Sequence, residues 1–261
     1  MTESKKKTSA SKTKNEMVEK KDGMIMDPNA APSRGFEEDS FDNDDLIIPR
    51  AKLIQALSPE MSDDDLEGIK QGMIINSLSK EQLPDEFIPI FSFKNFIRFN
   101  AKTPDAPGYD PEFEPGAIIW KSNDHRDPKV VAECGFGPNG EKPLAVTFMN
   151  FFSYFPGVPM PIIVSFSKTS YKAGKQLFSL AKFSGGDMFS RKYKLSSVKE
   201  TNDIASYFVL KVAGAGLASE DEYTIAERLW QEYSTKKKDI IVHDEEGSVT
   251  EEAADPNSRP Y

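Results

Sequence analysis

One cysteine, Cys134, stands among 261 residues. That excludes an internal disulfide framework and a zinc site built from several cysteines, and it fits a reducing cytosol. Only two histidines are present, His125 in a polar run and His243 near the C-terminus. Neither has a second His or Cys at metal-ligand spacing, so no metal site and no catalysis by His125 are expected. No apolar run approaches the roughly 18 residues of a membrane helix. The lysines of the first seven residues precede no apolar stretch, so neither a secretory signal nor a membrane span is expected. The glycines of residues 135–140 lack the strand-then-helix setting of a phosphate-binding loop and read as a turn between strands. Asp105, Glu112 and Glu114 lack the lysine that a nuclease-like carboxylate pattern would place nearby. Asp63, Asp64 and Asp65 are adjacent, and adjacent side chains do not converge on one point in regular structure, so they read as a solvated turn. No cofactor is expected.

What the chain does have is segregated charge. The whole carries a formal net charge of -9, yet residues 144–214 hold nine Lys and Arg against three acids. The same stretch holds thirteen of the 28 aromatic residues. Basic residues that track phosphates, interleaved with rings on which bases stack, are the footprint of a single-strand binder. The competing reading is that most of the rings are core, and roughly two-thirds of them are expected there on ordinary burial tendencies.

Residues 1–45 read as a disordered N-terminal arm with seven lysines, ending in an acidic linker. Residues 46–235 read as a single domain and residues 236–261 as a disordered acidic tail, with seven acids against Arg259 from Asp239 on. Within the domain, the pattern predicts a mostly β, α+β fold. Strands are expected at 46–50 with 52–57, at 72–76 and at 86–93, where 95–99 either continues or pairs. Further strands are expected at 117–120, 144–152 and 161–166. A hairpin follows, residues 190–197 pairing with 206–212 across the turn at Glu200–Asp203. Residues 100–116, with four prolines and two glycines, read as loop.

Two helices are expected. The first runs from Thr169 or Ser170 to about Phe183, with Leu177, Phe178 and Ala181 inward and Gly174 costing about 1 kcal/mol of helix propensity. Its Lys168, Lys172, Lys175 and Lys182 fall on one face. The second opens with a capping box, Ser219 to Glu222, and carries Tyr223, Ala226, Leu229, Trp230 and Tyr233 as an apolar stripe. Trp230 in such a stripe reads as core or as a partner contact.

The nucleic-acid-binding residues expected from this pattern are the four helix lysines with Arg191, Lys192 and Lys194 of the hairpin. The rings expected to stack bases are Tyr154, Phe155, Tyr171 and Tyr193, which adjoin turns or basic positions. Phe148, Phe152, Phe166, Phe178 and Phe208 are expected in the core. The tail either competes for the basic groove and docks partners, or only adds solubility.

The order Ile48-Pro49-Arg50, Gln55, Ser58-Pro59 and Gly72, then residues 162–170, then Tyr207-Phe208, resembles phage single-stranded DNA-binding proteins over about 46–215. The acidic C-terminus ending in Tyr261 is similar to the tails of replication single-strand binders, although Arg259 replaces an acid there. The resemblance implies an OB-like barrel with one helix in the barrel region and a C-terminal helix. It also implies non-catalytic single-stranded DNA binding in DNA replication or recombination, in the host cytoplasm, with replication or recombination proteins as partners of the tail. The alternatives are a phage interaction or structural protein with no nucleic-acid role and, third, a metal-dependent nuclease.

Overall fold

A computed structural model describes residues 47–235, except Asp64, Asp65, Glu67, Asp203 and Ile204. The arm, linker and tail expected on either side lie outside the described residues. The chain is mostly β. Strands β1 (Ala51–Leu53) and β2 (Ile74–Asn76) pair as a small antiparallel sheet. Six further strands form one antiparallel sheet: β3 (Glu86–Phe99), β4 (Ile118–Ser122), β5 (Ala145–Tyr154), β6 (Ile162–Phe166), β7 (Arg191–Thr201) and β8 (Ser206–Leu217). Its order is β6-β5-β3-β7-β8, with β4 beside the far end of β3. Helices are α1 (Pro128–Glu133), α2 (Tyr171–Phe183) and α3 (Glu220–Tyr233).

The sheet has β6 and β8 at its two ends and no pairing between them, so the barrel implied by the resemblance is not closed. Both faces of its centre are covered. Phe151 packs in one apolar cluster with Ile162, Phe166 and Leu177, whereas its neighbour Phe152 packs in another with Ile163, Ile225 and Leu229. Successive strand residues point to opposite faces, so α2 covers one face and α3 the other. That is why residues 149–155 are all buried, Asn150 and Ser153 included. Residues 86–99 form one strand of 14 residues, the 95–99 segment continuing rather than pairing back. Pro89, unable to donate to a ladder, sits where the β3–β5 register shifts.

Helix α2 lies close against β6. A Cβ on Gly174 would come within 2.8 Å of the Phe166 Cβ, so glycine is what the close approach requires. The inward face is therefore Ala173, Gly174, Leu177 and Ala181. Phe178, expected inward, is instead 43% exposed, because it lies about 100° round the helix from Leu177. Phe148 and Phe208 are half-buried rather than core.

The residues of the resemblance meet at one junction. The Gln55 amide donates to the Phe208 carbonyl (2.8 Å) and accepts the Phe208 N–H (2.9 Å), standing in for a strand at the edge of β8. Ser58 Oγ accepts the Gln55 N–H (2.9 Å), and Gly72, at φ +85, faces the Phe208 ring. The Ile163 N–H donates to the Pro49 carbonyl, which ties the lead-in to β6.

Candidate nucleic-acid interface

A single 3-10 turn, Lys168–Ser170, leads into α2. Lys168 holds φ 46, a left-handed backbone that costs a lysine on the order of 1 kcal/mol. Ser170 does not cap α2; its hydroxyl accepts the Leu210 N–H (3.1 Å) and so pins the helix start to β8. With its small inward face on the sheet, α2 presents Lys172, Lys175 and Lys182 within roughly 80° of arc. Lys168 continues that row at the N-terminal end. All four are exposed, over a helix about 20 Å long. No Asp or Glu occurs between Lys168 and Ser184. Lys168, Lys172 and Lys182 make no ion pair with the described residues.

Rings border this lysine row on both sides. Phe178 lies beyond Lys182 on the wheel, and Phe183, 87% exposed, lies beyond Lys172. Tyr171 is half-buried, with the Lys175 ammonium 5.3 Å from its ring centre. An ammonium over a ring face is attracted to it, so the two side chains hold each other at the surface. Phe178 and Phe183 were not among the rings expected from sequence. Phe183 lies opposite Gly174 on the wheel, a signal the sequence carries, whereas Phe178, four residues after Gly174, is not separated from the inward face by spacing.

The other expected contacts are placed differently. Tyr154, Phe155 and Tyr193 are buried, and no base can reach their ring faces in this structure. Phe155 stacks on Phe87 with ring centres 5.4 Å apart, and Tyr193 lies 6.3 Å from the same ring. Burial pushes the Tyr154 and Tyr193 hydroxyls above their ordinary pKa. For Tyr154 and Phe155 nearness to a turn was misleading, because β5 sits inside the sheet and its end is covered, while Tyr193 on β7 points into the core between basic neighbours.

The hairpin lysines already have partners. Lys192 reaches Glu86 (3.3 Å) and Glu222 (3.6 Å), and Lys194 reaches Asp85 (2.7 Å). These carboxylates hold both ammonium groups above the ordinary lysine pKa, through Glu86 foremost for Lys192 and Asp85 for Lys194. Arg191 is half-buried beside them. The basic strand face is thus compensated by Asp85, Glu86 and Glu222, whereas Lys168, Lys172 and Lys182 make no ion pair with the described residues.

Elsewhere, α1 begins at Pro128, the end of the polar run around His125, where no helix was expected. Asp127 caps it by accepting the Lys129 N–H, and Pro128 opens it. Its Glu133 accepts from Arg98 (2.6 Å) and from the Trp120 indole (3.0 Å), which fixes this corner structurally. His125 is exposed and lies 3.8 Å from Asp124. Among the described residues, no three His, Cys, Asp or Glu side chains converge as metal ligands. No described helix is long and apolar enough to cross a membrane.

Compared with known proteins, the chain matches no curated protein and no solved structure. A family model described as Pam3 phage gp34-like protein matches residues 12–239, nearly the whole chain. The chain therefore belongs to the Pam3 phage gp34-like family, a family of bacteriophage proteins.

Proposed function

We propose that this phage protein binds single-stranded DNA without catalysis, through the outward face of α2, in phage DNA replication or recombination. The observation that carries the reading is the acid-free lysine row Lys168, Lys172, Lys175 and Lys182, bordered by Phe178 and Phe183 and undercut by no ion pair with Lys168, Lys172 or Lys182. Lysines at helical spacing follow a phosphate chain, and each exposed ring gives a base a face on which to stack, worth about 1–3 kcal/mol per base. Duplex DNA hides its base faces, so rings of this kind favour single strands. The OB-like relationship belongs to the same proposal: an open antiparallel sheet with a packed helix is compatible with a partly open barrel. Docking of replication or recombination proteins through the acidic tail is a further part of it.

The test is a fluorescence titration with labelled oligo(dT), the corresponding duplex and an RNA of equal length, each at two salt concentrations. The reading expects single strands to bind tighter than duplex, with affinity falling as salt rises and little dependence on base sequence. A preference for duplex, or tight binding that ignores salt, contradicts it.

A further inference from the structure

On the α3 side of the sheet, a cleft of about 330 Å³ opens between β3, the turn that precedes β7, and α3. β7 pairs with β3 only at Glu86 and Phe87, and β4 pairs only from Phe96 to Phe99. β5 pairs with one edge of β3 throughout this stretch, and among the described residues no strand pairs with the other edge between Phe87 and Phe96. Ile90 and Phe189 contribute an apolar floor, and Trp230 stands at the side, 43% exposed with its ring 6.4 Å from Phe189. Asp187 and Glu227 supply the charge, and no lysine or arginine lines the cleft. The Tyr223 hydroxyl donates to Asp187 (2.7 Å), which fixes that carboxylate in place.

An indole face beside two carboxylates, over an apolar floor, is the chemistry that recognises a guanidinium. The flat cation stacks on the ring while its N–H groups meet carboxylate oxygens. A phosphate would be repelled by Asp187 and Glu227, and a wholly apolar ligand would desolvate both without compensation. The edge of β3 that no strand occupies leaves room for an extended chain laid beside it. We propose that this cleft captures an arginine side chain presented on an extended segment of a partner protein. The site lies on the opposite face from α2, so it stands or falls independently of strand binding.

The experiment uses the full chain and two capped peptides, Val-Arg-Val-Ser-Val and its twin with citrulline, the uncharged isostere, in place of arginine. The chain has two tryptophans, so two indole N–H resonances report binding, and Trp230→Phe assigns them. The arginine peptide should shift the Trp230 resonance saturably and leave that of Trp120 in place. The citrulline twin should bind at least about tenfold more weakly. Glu227→Gln should weaken the arginine peptide several-fold, with an unmoved Trp120 resonance showing that the fold is intact. The proposal is overturned if Trp230 does not respond, if the two peptides bind equally, or if both indoles shift in parallel. It is also overturned if oligo(dT) shifts Trp230, which would make the cleft part of the path of the strand.

Discussion

Phe183 stands at the last position of α2, beside Lys182 and almost fully in water. A ring left this exposed contributes little to folding, so removing it separates binding from stability. Phe183→Ala should weaken oligo(dT) binding by about 1–3 kcal/mol, the range for one stacked base. Its melting behaviour should stay within about 0.5 kcal/mol of the parent, as for other exposed substitutions. Unchanged affinity would remove this ring from the proposed interface. At this scale the sequence showed the lysines and hid the rings. Lysine at regular spacing advertises itself, because a charged head is nearly always left at the surface. An aromatic ring serves equally well in core or on a surface, and only packing decides. Tyr154 and Phe155 adjoin a turn yet end buried, whereas Phe178 sits next to Leu177 and ends exposed.

The elements divide along the same physical line. The β7–β8 hairpin and α3 were legible because each has a local signature: alternation across a turn in one, a capping box in the other, where Ser219 accepts the Glu222 N–H. The length of β3 was not, since burial on both faces erases the period that separates one long strand from two short ones. Helix α1 was missed because it has six residues and buries only Val130, too little for a periodic stripe. The small sheet holds an ion group that no local pattern announces. Glu60, with a side chain 3% exposed, accepts from Lys52 (2.8 Å) and Lys80 (3.1 Å), joining β1 to the turn after β2. Burial raises its pKa, but the two lysines outweigh that and leave the carboxyl below its ordinary 4.5. A carboxyl depressed in the folded state adds stability above its unfolded pKa and loses it as pH falls through the folded value. The chain should therefore lose this contribution below about pH 4.5, and Glu60→Gln should flatten that part of the profile. At neutral pH the same change should cost about 1–3 kcal/mol by leaving the lysines unneutralised. Thermal melts of both proteins from neutral to acid pH check this; parallel profiles would mean that Glu60 is not a stabilising carboxylate.

For the whole molecule, charge is distributed by face. α2 and the turn before it carry four lysines and no acid, while α3 carries Glu220, Asp221, Glu222, Glu227 and Glu232 on the other side of the sheet. A strand bound at α2 is thereby discouraged from wrapping the α3 side, since phosphates are repelled there. Beyond the described residues, positions 239–261 add seven acids against one arginine. If this tail competes with the strand for α2, deleting 239–261 should tighten oligo(dT) binding at low salt and reduce its dependence on added salt. Unchanged affinity at low salt would leave the tail as a solubility or docking segment. The central claim is that the α2 lysines touch phosphates, and it is tested most directly by the slope of log affinity against log salt. Lys172 and Lys175 are exposed, and changing both to Gln keeps length and helix propensity while removing two charges. With about 0.7 of slope per single-strand contact, the double variant should lose about 1.4 from the slope while its melting profile barely moves. An unchanged slope and affinity in a folded Lys172→Gln, Lys175→Gln protein would contradict the account.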